Sequence, residues 1–217
     1  GHGLTIYGTS NENEITNNLI CNLSWSDRNG MWVWGFRNII KGNIIHHIPG
    51  SNTGGDGIAI ASWWISSNAS LNTNTIIGNL IYNVGRYGIS LGRIQSPRQY
   101  TVNIIGNTIY KAGRDGIYSG DNGLSGGQNA EYYVVNIKNN IISDCNGYGI
   151  NLEKYKSYNI SYNDLHNNTL GKYGSGISGE NDISVNPLFA DPENGDFHLK
   201  SEYGRWNGTA WVYDNET

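Results

Sequence analysis

The chain has 217 residues, of which 30 are glycine and only 15% are charged, with a net charge of -4. Fourteen basic residues against eighteen acidic ones, without a basic run, leave nothing to track a phosphate backbone, so nucleic acid is excluded as the expected partner. No apolar stretch approaches the roughly 20 residues that cross a bilayer, so membrane insertion is not expected either.

The chain repeats itself. Asn18, Asn43, Asn79, Asn107, Asn140 and Asn163 each have an aliphatic residue three before and two after, as in Ile15 and Ile20 or Ile104 and Ile109. A second column runs Gly3-Leu4, Gly30-Met31, Gly57-Ile58, Gly88-Ile89, Gly116-Ile117, Gly149-Ile150 and Gly176-Ile177, in steps of 27, 27, 31, 28, 33 and 27 residues. A period of that size marks a solenoid. Each unit holds three short β-branched runs with period-two alternation: one opening on Gly-Ile, one ending before the Asn and one following it. Asn suits the turn between the second and third strands because it tolerates the left-handed region and its amide can bond the same residue of the next coil. The expectation is an all-β parallel β-helix of about seven coils, three short strands each, over residues 1–199. Residues 200–217 would be a C-terminal cap or the start of a linker. Because Gly1 opens directly on repeat-like sequence, the chain reads as part of a longer protein with further domains. Cys21 and Cys145 fall four coils apart, about 19 Å at the strand spacing, which is too far for a disulfide.

The Asn turn is short throughout, whereas the segment after the first strand varies. Three consecutive long loops, 61–74, 92–102 and 119–134, would wall a groove across the middle of the stack, since insertions in a solenoid gather on its binding face. With Ile58, Ile89, Ile117 and Ile150 inward, alternation turns their neighbours outward. The groove floor then reads Trp32 and Trp34, Ala59 and Ala61, Ser90 and Gly92, Tyr118 and Gly120, Asn151 and Glu153. The last coil contributes Ser178 and Glu180. Aromatic residues that stack on sugar C–H faces, with polar groups that read hydroxyls, make a polysaccharide cleft. Trp32, Trp34, Trp63, Trp64 and Tyr118 are the expected platforms, with Asn151 among the polar contacts.

Asp56 and Asp115 share the outward column two residues before the inward Ile, with Tyr87 between them. Their backbones would be about 9.6 Å apart from the strand spacing, near the separation that inverting glycosidases use. The same Asp-Gly steps also serve as simple turn residues. Glu153 and Asp121 are the further candidate carboxylates. Arg86 and Arg114 could hold the carboxylates of an acidic polymer or pair with neighbouring acids. Beside Tyr87 they would also suit elimination next to a uronate carboxylate. Hydrolysis and elimination both stay open. No metal or other cofactor is expected: His46-His47 has no acidic partner at ligand spacing, and Asp121-Asn122-Gly123 is too small a turn for calcium.

These coils resemble the right-handed parallel β-helix family of pectate-lyase-like, polysaccharide-active proteins over residues 3–199, and residues 186–199 resemble the closing coil of exported members. Asp115-Gly116-Ile117-Tyr118-Ser119-Gly120-Asp121-Asn122-Gly123 and the Asn/Ile-rich coils resemble the disaggregatase group of methanogenic archaea. That resemblance implies an extracellular or cell-surface protein whose partner is a chondroitin-like matrix polysaccharide, with a non-catalytic adhesive repeat as the rival.

Overall fold

The computed structural model describes residues 1–7, 11–62, 72–94, 100–120, 133–153, 157–207 and 209–214. Trp63, Trp64 and Asp121 lie outside the described residues. The chain is a right-handed parallel β-helix built from three parallel sheets. The first sheet stacks Leu4–Ile6, Met31–Trp34, Ile58–Ser62, Ile89–Ile94, Ile117–Ser119, Tyr148–Leu152 and Gly171–Tyr173. Two six-stranded sheets complete the coil, one ending before the Asn turn and one starting after it. Contacts divide the chain into two units, Gly1–Ser184 and Val185–Thr217. In the second unit, Phe189–Asp191 pairs antiparallel with Asp196–Leu199, where the sequence resembles a further parallel coil.

The inward columns follow from the alternation. Met31, Ile58, Ile89, Ile117 and Ile150 lie in one register and are fully buried, as are Ile40, Ile76, Ile104 and Ile137 of the second sheet. Each such side chain contributes about 1.5–3 kcal/mol by leaving water. The glycines before Met31, Ile58, Ile89 and Ile117 are required by space. A Cβ on Gly57 would lie 2.5 Å from the Ile81 side chain and 2.6 Å from the carbonyl oxygen of Gly88 in the next coil. The first strand thus tucks beneath an isoleucine of the third.

The Asn column forms a ladder through the turn. The backbone N–H and side-chain amide of Asn79 both donate to Asn107 Oδ1 at 2.9 Å, and the amide of Asn107 donates in turn to Asn140 Oδ1 at 3.0 Å. The same Asn107 amide also donates to the Ile76 carbonyl at the end of the second-sheet strand. The ladder ends on Asp182, whose Oδ1 accepts from Asn163. A carboxylate accepts without needing to donate onward, which suits the last rung. The left-handed residue of the turn, however, is not the ladder Asn. It is the residue before it, Asn17, Gly42, Gly78, Gly106, Asn139 or Tyr162, with φ between 55° and 64°. The amide then has the fixed direction a ladder needs.

One coil departs from the expected register. In the last coil Tyr173, not Ile177, stands opposite Ile150. The turn after Asp164–His166 has four residues, like the one before Tyr148–Leu152, so the strand begins at Gly171 and leaves Gly176-Ile177 beyond it. Ser178 and Glu180 therefore do not extend the outward rows of the first sheet. Cys21 and Cys145 are both free thiols, and burial pushes Cys145 up to about 12.

Removing a middle rung should cost far more than removing the first. Asn107→Ala strips the acceptor from two donors on Asn79 and the donor from Ile76, which predicts a loss of about 3–5 kcal/mol from orphaned buried groups. Asn18→Ala should cost about 1 kcal/mol, because it orphans fewer groups. Denaturant unfolding of the two variants measures this, and equal losses would mean the ladder is not what ties the coils.

Candidate functional site

The outward face of the first sheet carries the chemistry. Register places Trp32, Ala59, Ser90, Tyr118 and Asn151 in one row across five successive coils. Ala59, Ala61, Ser90 and Gly92 keep the middle of the face low. A cavity of about 120 Å³ opens over them, bounded by Trp32 on one side and by Asp56 and Arg86 on another.

Trp32 and Trp34 stand on the same face, their rings edge to face at 5.7 Å. Two residues that the repeat pattern does not single out complete this end. The Tyr7 ring stacks on Trp34 at 4.7 Å, and His2 meets Trp32 edge-on at 4.4 Å. Thr5 and these four rings enclose a second hollow of about 200 Å³.

Asp56 is 2% exposed, and so is Arg86. Arg86 Nε lies 3.1 Å from Asp56 Oδ1, Ser90 Oγ donates to Asp56 Oδ2 at 2.5 Å, and the Tyr87 N–H reaches Oδ1 at 3.4 Å. Burial pushes the Asp56 carboxyl above its ordinary value, while Arg86, Ser90 and the Tyr87 amide pull it back. The arginine's own fork is fastened by Nη1 to the Asn52 carbonyl at 3.2 Å. Asp56 is thus a tied anion beneath the cavity rather than a free carboxylate within it.

This arrangement repeats along the column. His2 Nδ1 accepts from the Asn29 N–H at 3.0 Å, Asn29 Oδ1 from the Asp56 N–H at 3.0 Å, and Asp115 Oδ1 from the Tyr148 N–H at 2.7 Å. Each side chain caps the main chain of the following coil. The turn role of the Asp-Gly steps is therefore present at both Asp56 and Asp115, and Asn29 in the same column is the sequence signal for it.

Asp115 differs from Asp56 in having no cation in contact with it among the described residues. Its second oxygen accepts from Asn151 Nδ2 at 3.2 Å, and Asn151 is held by Ser175 Oγ at 2.8 Å. Burial raises the Asp115 carboxyl above its ordinary value and nearby Glu153 adds to the rise, against the hydrogen bonds from Tyr148 and Asn151 and the more distant Arg114. Glu153 is exposed, and the Tyr118 hydroxyl donates to its Oε2 at 3.1 Å. Burial together with Tyr87 and Glu153 raises Tyr118, which keeps its proton. Gly120 makes room for this pair, since a Cβ there would overlap the Tyr118 hydroxyl and come within 2.7 Å of Glu153 Oε2.

Tyr87 is not an open group between Asp56 and Asp115. Its ring lies flat on Tyr118 at 4.1 Å, with the Arg86 guanidinium 4.7 Å from its centre and that of Arg114 5.9 Å away. Arg114 is exposed and reaches Asn52 Oδ1 at 3.4 Å. Of the expected site residues, then, Asp115, Glu153, Tyr118, Tyr87, Asn151 and Arg114 form one cluster. Asp56 and Arg86 form a buried pair beside it, and Trp32 and Trp34 stand at the far end. A larger hollow of about 630 Å³ lies on another corner of the coil, bordered by Asn22, His47, Asn83 and Lys111, and no carboxylate among the described residues lines it.

The fold and this face define a right-handed parallel β-helix with an aromatic-walled cleft and a carboxylate cluster. A family model described as disaggregatase related matches residues 51–217, and the chain belongs to that family. Neither the curated proteins nor the solved structures returned a match.

The raised carboxyls set a pH dependence. A group whose folded pKa lies above its unfolded value holds its proton more tightly when folded, so stability falls as pH rises through the interval between the two. For Asp115 that interval begins near 3.8 and extends to its raised folded value. Unfolding free energy measured across this range should decline with pH, and the decline should be smaller in Asp115→Asn. An unchanged slope in that variant would contradict the assignment.

Proposed function

We propose that the cluster hydrolyses glycosidic bonds of an acidic or amino-sugar polysaccharide outside the cell or at its surface. The observation that carries this reading is the pair of unlike carboxylates at the end of the cleft. Glu153 is exposed and oriented by Tyr118, while Asp115 is buried and held towards its protonated form. Environments that push two carboxyls apart are how one site supplies both an acid and a base. In the proposed step a water attacks the anomeric carbon and Glu153 accepts its proton. Asp115 gives its proton to the departing glycosidic oxygen as the C–O bond breaks. Asp56 keeps Arg86 in place, and Arg86 with Arg114 flanks the Tyr87–Tyr118 stack. Membership of a disaggregatase-related family is compatible with a polysaccharide partner and leaves the reaction to be tested.

Elimination is the second reading, because Arg114 beside the two tyrosines could hold a uronate carboxylate. It asks Tyr87 to take the proton, whereas that ring is buried flat against Tyr118. Hydrolysis is therefore preferred.

Incubated with chondroitin, the protein should release saturated reducing ends. Glu153→Gln and Asp115→Asn should each lower kcat about 100-fold or more, the usual worth of a positioned acid or base, with circular dichroism unchanged. Activity should fall as pH rises through the raised Asp115 value. Unsaturated uronate products would replace hydrolysis with elimination. Full turnover in both variants would remove the assignment, and binding without turnover by the unaltered protein would favour the adhesive role.

A further inference from the structure

Trp32 borders two hollows at once: the one over the small-residue floor and the aromatic slot formed with His2, Thr5, Tyr7 and Trp34. Its indole N–H is buried and has no acceptor among the described residues. An apolar slot walled by aromatic rings fits a ligand that has a C–H face, as a pyranose does. The slot also stands in register with the carboxylate cluster. Trp32 and Tyr118 occupy the same row three coils apart, and Asn151 lies one coil further. At the strand spacing those separations are about 14 Å and about 19 Å.

Between them the outward positions among the described residues are small: Ala59, Ala61, Ser90 and Gly92. A Cβ on Gly92 would meet only ordinary contacts, 3.4 Å to the Ile60 carbonyl oxygen and 3.8 Å to Ala61 Cβ. Glycine there is not demanded by packing beneath it, and a larger side chain would stand up into the cleft. One coil rises about as far as one sugar residue lengthens a β-linked chain, so a polymer laid along the solenoid axis meets each coil with one sugar.

We infer that the slot around Trp32 is a remote sugar subsite, about four residues from the bond at Glu153, and that the protein grips the interior of long chains running parallel to the β-helix axis. This rests on the polysaccharide reading above and adds to it the direction of the polymer, the length of the cleft and an endo mode of action. His2, Thr5 and Tyr7 become part of the binding surface. Sugars bound near Tyr118 alone occupy half of the cleft, and chains that reach Trp32 occupy all of it.

The test is calorimetric titration of the full chain carrying Glu153→Gln with unsulfated chondroitin oligosaccharides, from disaccharide to decasaccharide. Affinity should climb with length up to a hexasaccharide and then level. Adding Trp32→Ala should remove the gain at the longer lengths, a loss of about tenfold for an aromatic platform. Gly92→Leu, which leaves the slot and the cluster intact, should likewise uncouple length from affinity by blocking the path between them. Circular dichroism and unfolding curves establish that both variants fold, and either one suffices if the other does not. Affinity that is flat from the disaccharide onward overturns the remote subsite, as does a length profile unaltered by a folded variant. No binding at any length overturns the polysaccharide reading itself.

Discussion

The side-chain amide of asparagine is the group on which this solenoid depends. A parallel strand satisfies its main chain through its neighbours in the sheet, but the tight turns between sheets leave buried amides and carbonyls that no strand can reach. The carboxamide at Asn107 answers the turn amide of Asn79 and also donates to the Ile76 carbonyl and to the next rung. Its reach equals the spacing of the coils, so a short turn repeats without distortion. Because that corner is fixed, the segments after the first strand are free to vary in length while the core columns of isoleucine remain in register. The cleft owes its floor to that register.

The site grows from the same device at another corner. His2, Asn29, Asp56 and Asp115 each accept an amide from the following coil, which is a structural task any short acceptor can perform. Where the acceptor is a carboxylate, its charge must be answered in a buried place. At Asp56 the answer is Arg86, and the result is a closed ion pair. At Asp115 no cation among the described residues comes as close, so burial favours the proton, and Glu153 one coil away increases that preference. A capping position thereby becomes a proton-holding group next to an exposed carboxylate. Two positions of one column, with the same local role, end with different chemistry because their neighbours differ.

The sequence made the coils legible because their signals are periodic: Gly before Ile where a Cβ has no room, Asn at every ladder rung, and alternation that turned Trp32, Tyr118 and Glu153 outward. What it concealed depends on contacts between columns. That Tyr87 folds flat against Tyr118 joins a residue two before one inward Ile to a residue one after the next, and no periodic count pairs them. The left-handed φ belongs to the residue before each ladder Asn, a distinction that residue preference could not draw where Asn17-Asn18 or Asn139-Asn140 stand together. The last coil slipped because the count followed Gly176-Ile177, whereas the four-residue turn at 167–170 brings Tyr173 into the column. His2 and Tyr7 belong to the slot only through ring contacts with the coil above.

A structure of the Glu153→Gln protein with a bound chondroitin oligosaccharide tests the central claim most directly. The account predicts sugar rings in line along the first sheet, over Ala59 and Ser90, with one ring against Trp32 and a glycosidic oxygen between Asp115 and residue 153. An oligosaccharide lying across the coils, or seated in the hollow beside Asn22 and Lys111, would contradict it.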